Sequence, residues 1–139
     1  GGSRSADVVA LTPLRLIKMR SSPFASLLGQ LASFALALAR LEASRLRDLN
    51  LRFALQSADS TTRLLDALAY LARKSSGGLD VQAEIPPLAQ REIALLAGLA
   101  RETASRTLSK LRSRGTVKEQ NGNLYLADLK PLQKRNLLL

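Results

Sequence analysis

Along this chain apolar residues recur at three- and four-residue intervals in some stretches and at every second residue in others, and the switches of period mark the predicted elements. The longest helical pattern opens at Ser22-Pro23, an N-cap followed by proline at the first helical position. It runs to about Gln56 without a proline or glycine pair to stop it. Uninterrupted, such a helix would be roughly 50 Å long at 1.5 Å per residue. Its apolar positions Phe24, Leu27, Leu28, Leu31, Phe34, Leu38, Leu41, Leu46, Leu49 and Phe53 slip in phase near Arg45. So wide a stripe needs cover, either from its own domain or from a second copy in a two-stranded seam, which tolerates such a slip. Both are expected, the first half covered partly by its own chain and the second by a partner. The interface residues would be Leu27, Leu31, Phe34, Leu38, Leu41, Leu49 and Phe53.

The shorter elements follow from local punctuation. Ser57 to Ser60 is a polar break that can hinge, and Ser60 or Thr61 is the expected cap of a helix through Lys74 with Leu64, Leu65, Leu68, Tyr70 and Leu71 as its core face. Gly77-Gly78 ends it, Asp80 to Ile85 alternates as a strand, and Pro86-Pro87 stops the strand. From Leu88 to Leu111 two short amphipathic helices meet at Gly98, with small Ala94 where they would cross. Val117 to Gln120 and Asn123 to Leu126 flank Asn121-Gly122, the pair that a type I′ hairpin favours. Val117, Leu124 and Leu126 would face the helices, leaving Lys118 and Tyr125 toward solvent or phosphate. Leu132 to Leu139 reads as a short basic tail with Lys134 and Arg135.

The second of the two short helices carries the most specific chemistry. Thr103, Ala104, Leu108 and Leu111 can anchor it from behind, which leaves Arg101, Glu102, Ser105 and Arg106 as neighbours on one outward strip. Arginine can pair bidentately with guanine O6 and N7, and glutamate accepts from cytosine N4 in the major groove. These four are the candidate base readers. Gln90, Arg91, Thr103, Lys110 and Lys118 are the candidates for contact with phosphates. The plainer account makes Arg101 and Glu102 solvated charges at a helix start, with Glu102 favoured by the helix dipole.

Charge changes the picture in the same direction. The chain has 21 basic and 11 acidic residues, a net +10, so polyanions are expected partners. Residues 89–139 hold ten Lys or Arg against four Asp or Glu, so the excess is denser there. An anionic membrane surface also attracts such a balance. Base-reading residues gathered on one helix favour duplex DNA, and no apolar run approaches the length of a membrane span.

An enzyme is the class to reject, because without His or Cys the hydrolytic triads and most metal sites are unavailable. Neither catalytic nor metal residues are therefore assigned. Ser109-Lys110 is the sort of pair that Ser-Lys chemistry would use, but on an amphipathic helix it reads as solvated surface, and Gly77-Gly78 lacks the Lys-Ser or Lys-Thr of a phosphate loop. With no cysteine for an iron–sulfur cluster and no histidine for haem, sensing through those centres is excluded for these residues.

The run Arg101-Glu102-Thr103 followed by Arg106, with its preceding helix and following hairpin, resembles the recognition element of the cyclic-AMP receptor and fumarate-nitrate regulator family of bacterial transcription factors. By that resemblance Arg101 and Arg106 would read purines and Glu102 cytosine in a TGTGA-like half-site, and the hairpin would be a wing. The family usually has a basic or polar phosphate-contacting residue just before the first helix of the motif; this chain has Ala89, Gln90 and Arg91 there. Arg45-Leu46-Arg47-Asp48-Leu49 resembles the end of the family's dimer helix. Asp7 to Leu11 and Leu14 to Met19, alternating around Thr12-Pro13, resemble the last strands of its ligand-binding barrel. Gly1-Gly2-Ser3 has the character of a linker or cloning scar and is set aside.

The expected fold is mainly α with a small β wing: a remnant hairpin of a truncated β-barrel effector domain in residues 1–21, a long dimerisation helix in 22–56, and a winged helix-turn-helix domain in 57–139. The resemblance implies a cytoplasmic homodimer on palindromic double-stranded DNA, with recognition helices about 34 Å apart, and RNA polymerase as a further partner. Lack of cysteine is compatible with that location. The family's cyclic-nucleotide pocket needs a phosphate loop bearing glycine and glutamate and then an arginine; no such segment is present, so no cofactor is expected. The alternative class is a protein interaction module, in which the long helix and winged domain dock other proteins without reading DNA.

Overall fold

The structure is a computed structural model that describes Val8, Ala10 and residues 13–138. It divides into two compact units, one up to Ala54 and one from Leu55 onward.

The first unit contains two helices, α1 (Ser21–Gln30) and α2 (Ala32–Ala54), where the periodicity predicts one. The continuous helix expected over 22–56 is interrupted at Leu31, whose backbone is extended at φ −117° and ψ 95°. Leu31 still donates its N–H to Leu27 O at 2.9 Å, and its carbonyl then accepts from Phe34 at 3.0 Å and Ala35 at 3.1 Å, so it closes one helix and opens the next. The two axes are bent by 109°. Two features account for the break. Gly29 lowers helical propensity in the last turn of α1, and the bend brings Phe24 edge-to-face with Phe34, ring centroids 5.7 Å apart, a contact that a straight helix cannot make over ten residues. The helix also starts earlier than the Ser22-Pro23 signal indicates, with Arg20 at its N-cap and no side-chain cap bond.

Residues 13–20 form no regular element, so the strand expected over Leu14 to Met19 is corrected to exposed irregular chain, with Ile17 92% exposed. A strand needs a neighbour for its ladder of hydrogen bonds, and the described residues place none beside it. Its expected companion, Asp7 to Leu11, lies largely outside the described residues. Among the described residues no single helix is long and apolar enough to cross a membrane.

The second unit is built around α3 (Ser60–Ser76). A 3₁₀ turn over Leu55–Ser57 precedes it, and its cap is Asp59, not Ser60 or Thr61. The Asp59 carboxylate accepts from the backbone N–H of Thr61 at 2.9 Å and of Thr62 at 3.1 Å, and from Thr62 Oγ1 at 2.6 Å. These bonds satisfy first-turn donors that the helix leaves open. Gly77, at φ +71°, ends the helix as its glycine pair predicts.

Leu64, Leu65 and Leu68 of α3 are fully buried, and Leu71 nearly so. Tyr70 is only half-buried, under the Lys74 ammonium 5.4 Å from its ring centre. Around α3 close β1 (Ala83–Ile85), α4 (Gln90–Leu96), α5 (Arg101–Ser113), β2 (Val117–Gln120), β3 (Asn123–Leu126) and a short α6 (Lys130–Gln133). Ile85, Ile93, Leu108, Leu111, Val117 and Leu126 complete one core with the α3 leucines. Burying each such side chain contributes about 1.5–3 kcal/mol.

The three strands form one antiparallel sheet in the order β1-β3-β2. In the hairpin Val117 pairs with Leu126, Lys118 with Tyr125 and Glu119 with Leu124. Asn121 at φ +52° and Gly122 at φ +80° supply the two left-handed residues that a two-residue turn of this twist requires. The strand expected over Asp80 to Ile85 is present only in its second half: residues 81 and 82 turn, with Gln82 at φ +74°, and Ala83 begins the ladder with β3.

The segment after β3 is not a free basic tail. Leu132 is fully buried and Leu137 6% exposed. Arg135 Nε donates to Thr62 Oγ1 at 3.1 Å, and Arg73 Nη1 donates to Leu137 O at 3.1 Å. The apolar residues that interrupt the charges carry the segment into the core, which charge counting alone misses.

Candidate nucleic-acid interface

Helices α4 and α5 meet as the sequence predicts. Ala94 is buried at the crossing and Gly98 turns the corner at φ +62°, where a β-carbon costs about 1–2 kcal/mol. Gly98 N–H donates to Leu95 O at 3.0 Å and Leu99 N–H to Ala94 O at 2.9 Å, a tight closure of α4. At the other end of α4, the Glu92 carboxylate accepts from Ala89 N–H at 2.8 Å.

Helix α5 is anchored by Ala104, Thr107, Leu108 and Leu111, all buried. Thr107 was not among the expected anchors; its hydroxyl donates to Thr103 O at 2.7 Å, so it enters the apolar face with its polar group satisfied. Thr103, expected as an anchor and a phosphate contact, is half-buried. The spacing 104, 107, 108, 111 is the i, i+3, i+4, i+7 stripe of a helix lying on a core, and Thr107 is hidden in sequence only because threonine counts as polar.

The opposite side of α5 presents Arg101, Glu102 and Arg106, all exposed on its first two turns. Ser105 departs from them. It is half-buried and lines a crevice with Leu64, Gln90, Ile93, Ala104 and Leu108. The N-cap of α5 is Ala100, which has no acceptor for the first-turn amides, so that end keeps its positive pole beside Arg101. Gln90 and Arg91 are exposed on the first turn of α4, Arg91 with a guanidinium nitrogen 4.0 Å from Glu92. Lys110 is exposed near the end of α5, and Lys118 is exposed on the hairpin, opposite Tyr125 and on the face away from Val117.

Helix α5 and the hairpin are tied together. Arg112 pairs with Glu119 at 2.7 Å, and Gly115, at φ +71°, lets the chain reverse so that Thr116 N–H reaches back to Leu111 O at 3.0 Å. The carbonyl of buried Thr116 accepts from Ala127 at 2.9 Å, which locks the hairpin base to the end of α5.

Nothing in the local sequence pattern marks Arg63 of α3. Its Nε donates to Ala97 O at 3.1 Å and its Nη2 to Gly98 O, so one guanidinium holds both carbonyls at the α4–α5 corner. These partners lie 34 and 35 positions away in the chain, beyond the reach of any local pattern. Among the described residues no group of three or more His, Cys, Asp or Glu is placed to hold a metal.

Two helices meeting at a glycine corner, the second with an exposed basic and acidic strip and followed by a sheet hairpin, define the class of helix-turn-helix proteins. The chain belongs to the Crp-like helix-turn-helix domain family, whose model matches residues 62–135. It is similar to the cyclic AMP receptor protein of Thermus thermophilus, 32% identical over 134 residues that cover 96% of this chain and 59% of that protein. It is also similar to the CRP-like cAMP-activated global transcriptional regulator of Mycobacterium tuberculosis, 28% identical over 96% of this chain and 61% of that protein. The chain thus spans about three-fifths of the length of these relatives. The crystal structure of the Thermus thermophilus catabolite activator protein aligns at a TM-score of 0.37 and 31% identity, covering 81% of this chain and 51% of that one.

Proposed function

We propose that this chain is a sequence-specific double-stranded DNA-binding unit of a transcription regulator, which reads a palindromic TGTGA-like site as a homodimer. The observation that carries the reading is the exposed strip Arg101, Glu102 and Arg106 on a helix whose other side is fully anchored. Arg101 and Arg106 donate to guanine edges and Glu102 accepts from cytosine N4. Ser105, being half-buried, reaches only a base that comes close to the helix axis. Gln90, Arg91, Thr103, Lys110 and Lys118 hold phosphates, and the hairpin acts as the wing. Its exposed Lys118 and the pairing of Arg112 with Glu119 support that role, because the pairing links the wing to the end of α5.

The dimer rests on α2. Leu27 of α1 is half-buried and Leu31, at the break before α2, is exposed; on α2 itself Phe34 and Leu38 are half-buried and Leu41, Leu49 and Phe53 are exposed, Phe53 at 74%. A second copy packed along this row gives two readers related by a twofold axis, hence a palindrome. One of the two relatives is named a cyclic AMP receptor protein and the other a cAMP-activated regulator; no cofactor site is proposed for this chain.

The test is selection of bound duplexes from a random library at moderate salt, with the oligomeric state followed by light scattering. Recovery of a palindrome with TGTGA-like arms by a dimer is the expected result. Single arms recovered by a monomer would remove the dimer and keep the reader. No enrichment would favour docking of a protein partner on the same surfaces.

A further inference from the structure

We infer that Arg63 is a positioning residue for DNA reading: its guanidinium, held on the first turn of α3, sets the α4–α5 corner and through it the orientation of Arg101 and Glu102. The functional part of this inference rests on the DNA-reading proposal above.

The geometry begins with the corner itself. The backbone of α4 closes with Ala97 N–H on Ile93 O, Gly98 N–H on Leu95 O and Leu99 N–H on Ala94 O. The carbonyls of Ala97 and Gly98 come after these, in the turn, and Arg63 supplies a donor to each. Two donors in a fixed planar fork define a direction as well as a distance, which a lysine ammonium at the same place does not. Glycine at this corner is called for by its positive φ of +62°.

The other end of the clamp is equally held. Arg63 sits four residues after the Asp59 cap and donates its own N–H to Asp59 O at 3.1 Å. Thr62 beside it donates to the Asp59 carboxylate and accepts from Arg135, whose Nη1 also donates to Pro131 O at 3.0 Å. The first turn of α3 thus joins three parts of the unit: the C-terminal segment through Arg135, the helix-turn-helix corner through Arg63, and the 3₁₀ turn at Leu55–Ser57 that precedes it in sequence. Arg101 follows Gly98 by three residues, so a shift at the corner reaches the first turn of α5 before any other part of the reader. Arg63 touches no base; it acts through the corner.

The experiment compares the full chain with Arg63→Lys, which keeps the charge and removes the fork, and with Arg63→Gln. Each is measured for binding to the duplex recovered by selection, for binding to a random duplex, and for backbone hydrogen exchange at Leu99. For Arg63→Lys the expected result is about a tenfold loss on the selected duplex, as for a lost charged hydrogen bond, with random-duplex binding unchanged and faster exchange at Leu99. A fresh selection with this variant should relax most at the positions read by Arg101 and Glu102.

Wild-type discrimination with wild-type exchange would overturn the inference. So would faster exchange with unchanged discrimination, which makes Arg63 a structural cap alone, and so would loss of helical circular dichroism in both variants, which makes it a residue of stability. Parallel loss on selected and random duplexes also counts against it. If the wild-type chain enriches no duplex, it is the DNA-reading proposal that fails; unchanged exchange at Leu99 in Arg63→Lys would then remove the clamp as well.

Discussion

At the scale of single residues, charge is useful here where a backbone fixes it. Hydrogen bonds to Asp59 from the Thr62 hydroxyl and the Thr62 amide, opposed by burial and aided by the Thr61 amide and the Arg135 charge, hold its carboxyl below the ordinary aspartate value. A lowered folded-state pKa means that the stability it contributes is complete above about pH 4, where the unfolded group is ionised, and is lost as pH falls through the folded value. Thermal melting should therefore show an acid-side loss that Asp59→Ala removes, and at neutral pH that variant should cost about 0.5–2 kcal/mol, as for other lost caps. Arg101 and Glu102 have a different test. Arg101→Ala is expected to cost roughly 1–3 kcal/mol on the selected duplex, whereas Glu102→Ala is expected to relax discrimination at one base pair more than it weakens total binding. Equal losses on selected and random DNA, measured by competition, would contradict base reading by both.

Among the elements, those written in local periodicity were legible and those made by distant partners were not. The helix-turn-helix and the Asn-Gly hairpin could be placed from sequence because glycine at 98 and Asn-Gly at 121 and 122 declare backbone angles that few other residues adopt. The break at Leu31 was not legible: the apolar stripe continues through it, and only the Phe24–Phe34 contact reveals which way the chain turns. Thr107 and Arg63 are illegible for different reasons: threonine counts as polar although its hydroxyl is satisfied by the Thr103 carbonyl one turn back, whereas Arg63 takes its role from carbonyls 34 and 35 positions away. In the C-terminal segment the charges of Lys134 and Arg135 mask Leu132 and Leu137, which are buried in the same core as the α3 leucines. Leu132→Ala should accordingly destabilise the second unit by about 2–5 kcal/mol, read as an earlier denaturant midpoint; a change within about 0.5 kcal/mol, usual for surface sites, would mean that α6 is not part of the core.

For the whole molecule, net charge and the apolar row on α2 lead to separate expectations. If phosphates are contacted, the logarithm of affinity for duplex should fall steeply and linearly with the logarithm of salt concentration, whereas docking of a protein partner through apolar surface should change little. If α2 pairs with a copy of itself, the double variant Leu41→Asp, Leu49→Asp should scatter light as a monomer, and selection with it should return single arms. A dimer that survives both charges would place the seam elsewhere. The order β1-β3-β2 also says how the second unit must assemble. Pairing of Ala83–Ile85 with Leu124–Leu126 ties a ring of about 40 residues in which α4, α5 and β2 are all enclosed. Closing such a ring costs roughly 3 kcal/mol of chain entropy, and that cost falls due before the ring's contacts can repay it. The slow event in refolding should then be the meeting of β1 with β3. Shortening the side chain of Ile85, which sits opposite Leu124 in that ladder, should slow refolding more than the same loss within the hairpin, whose strands meet across two residues.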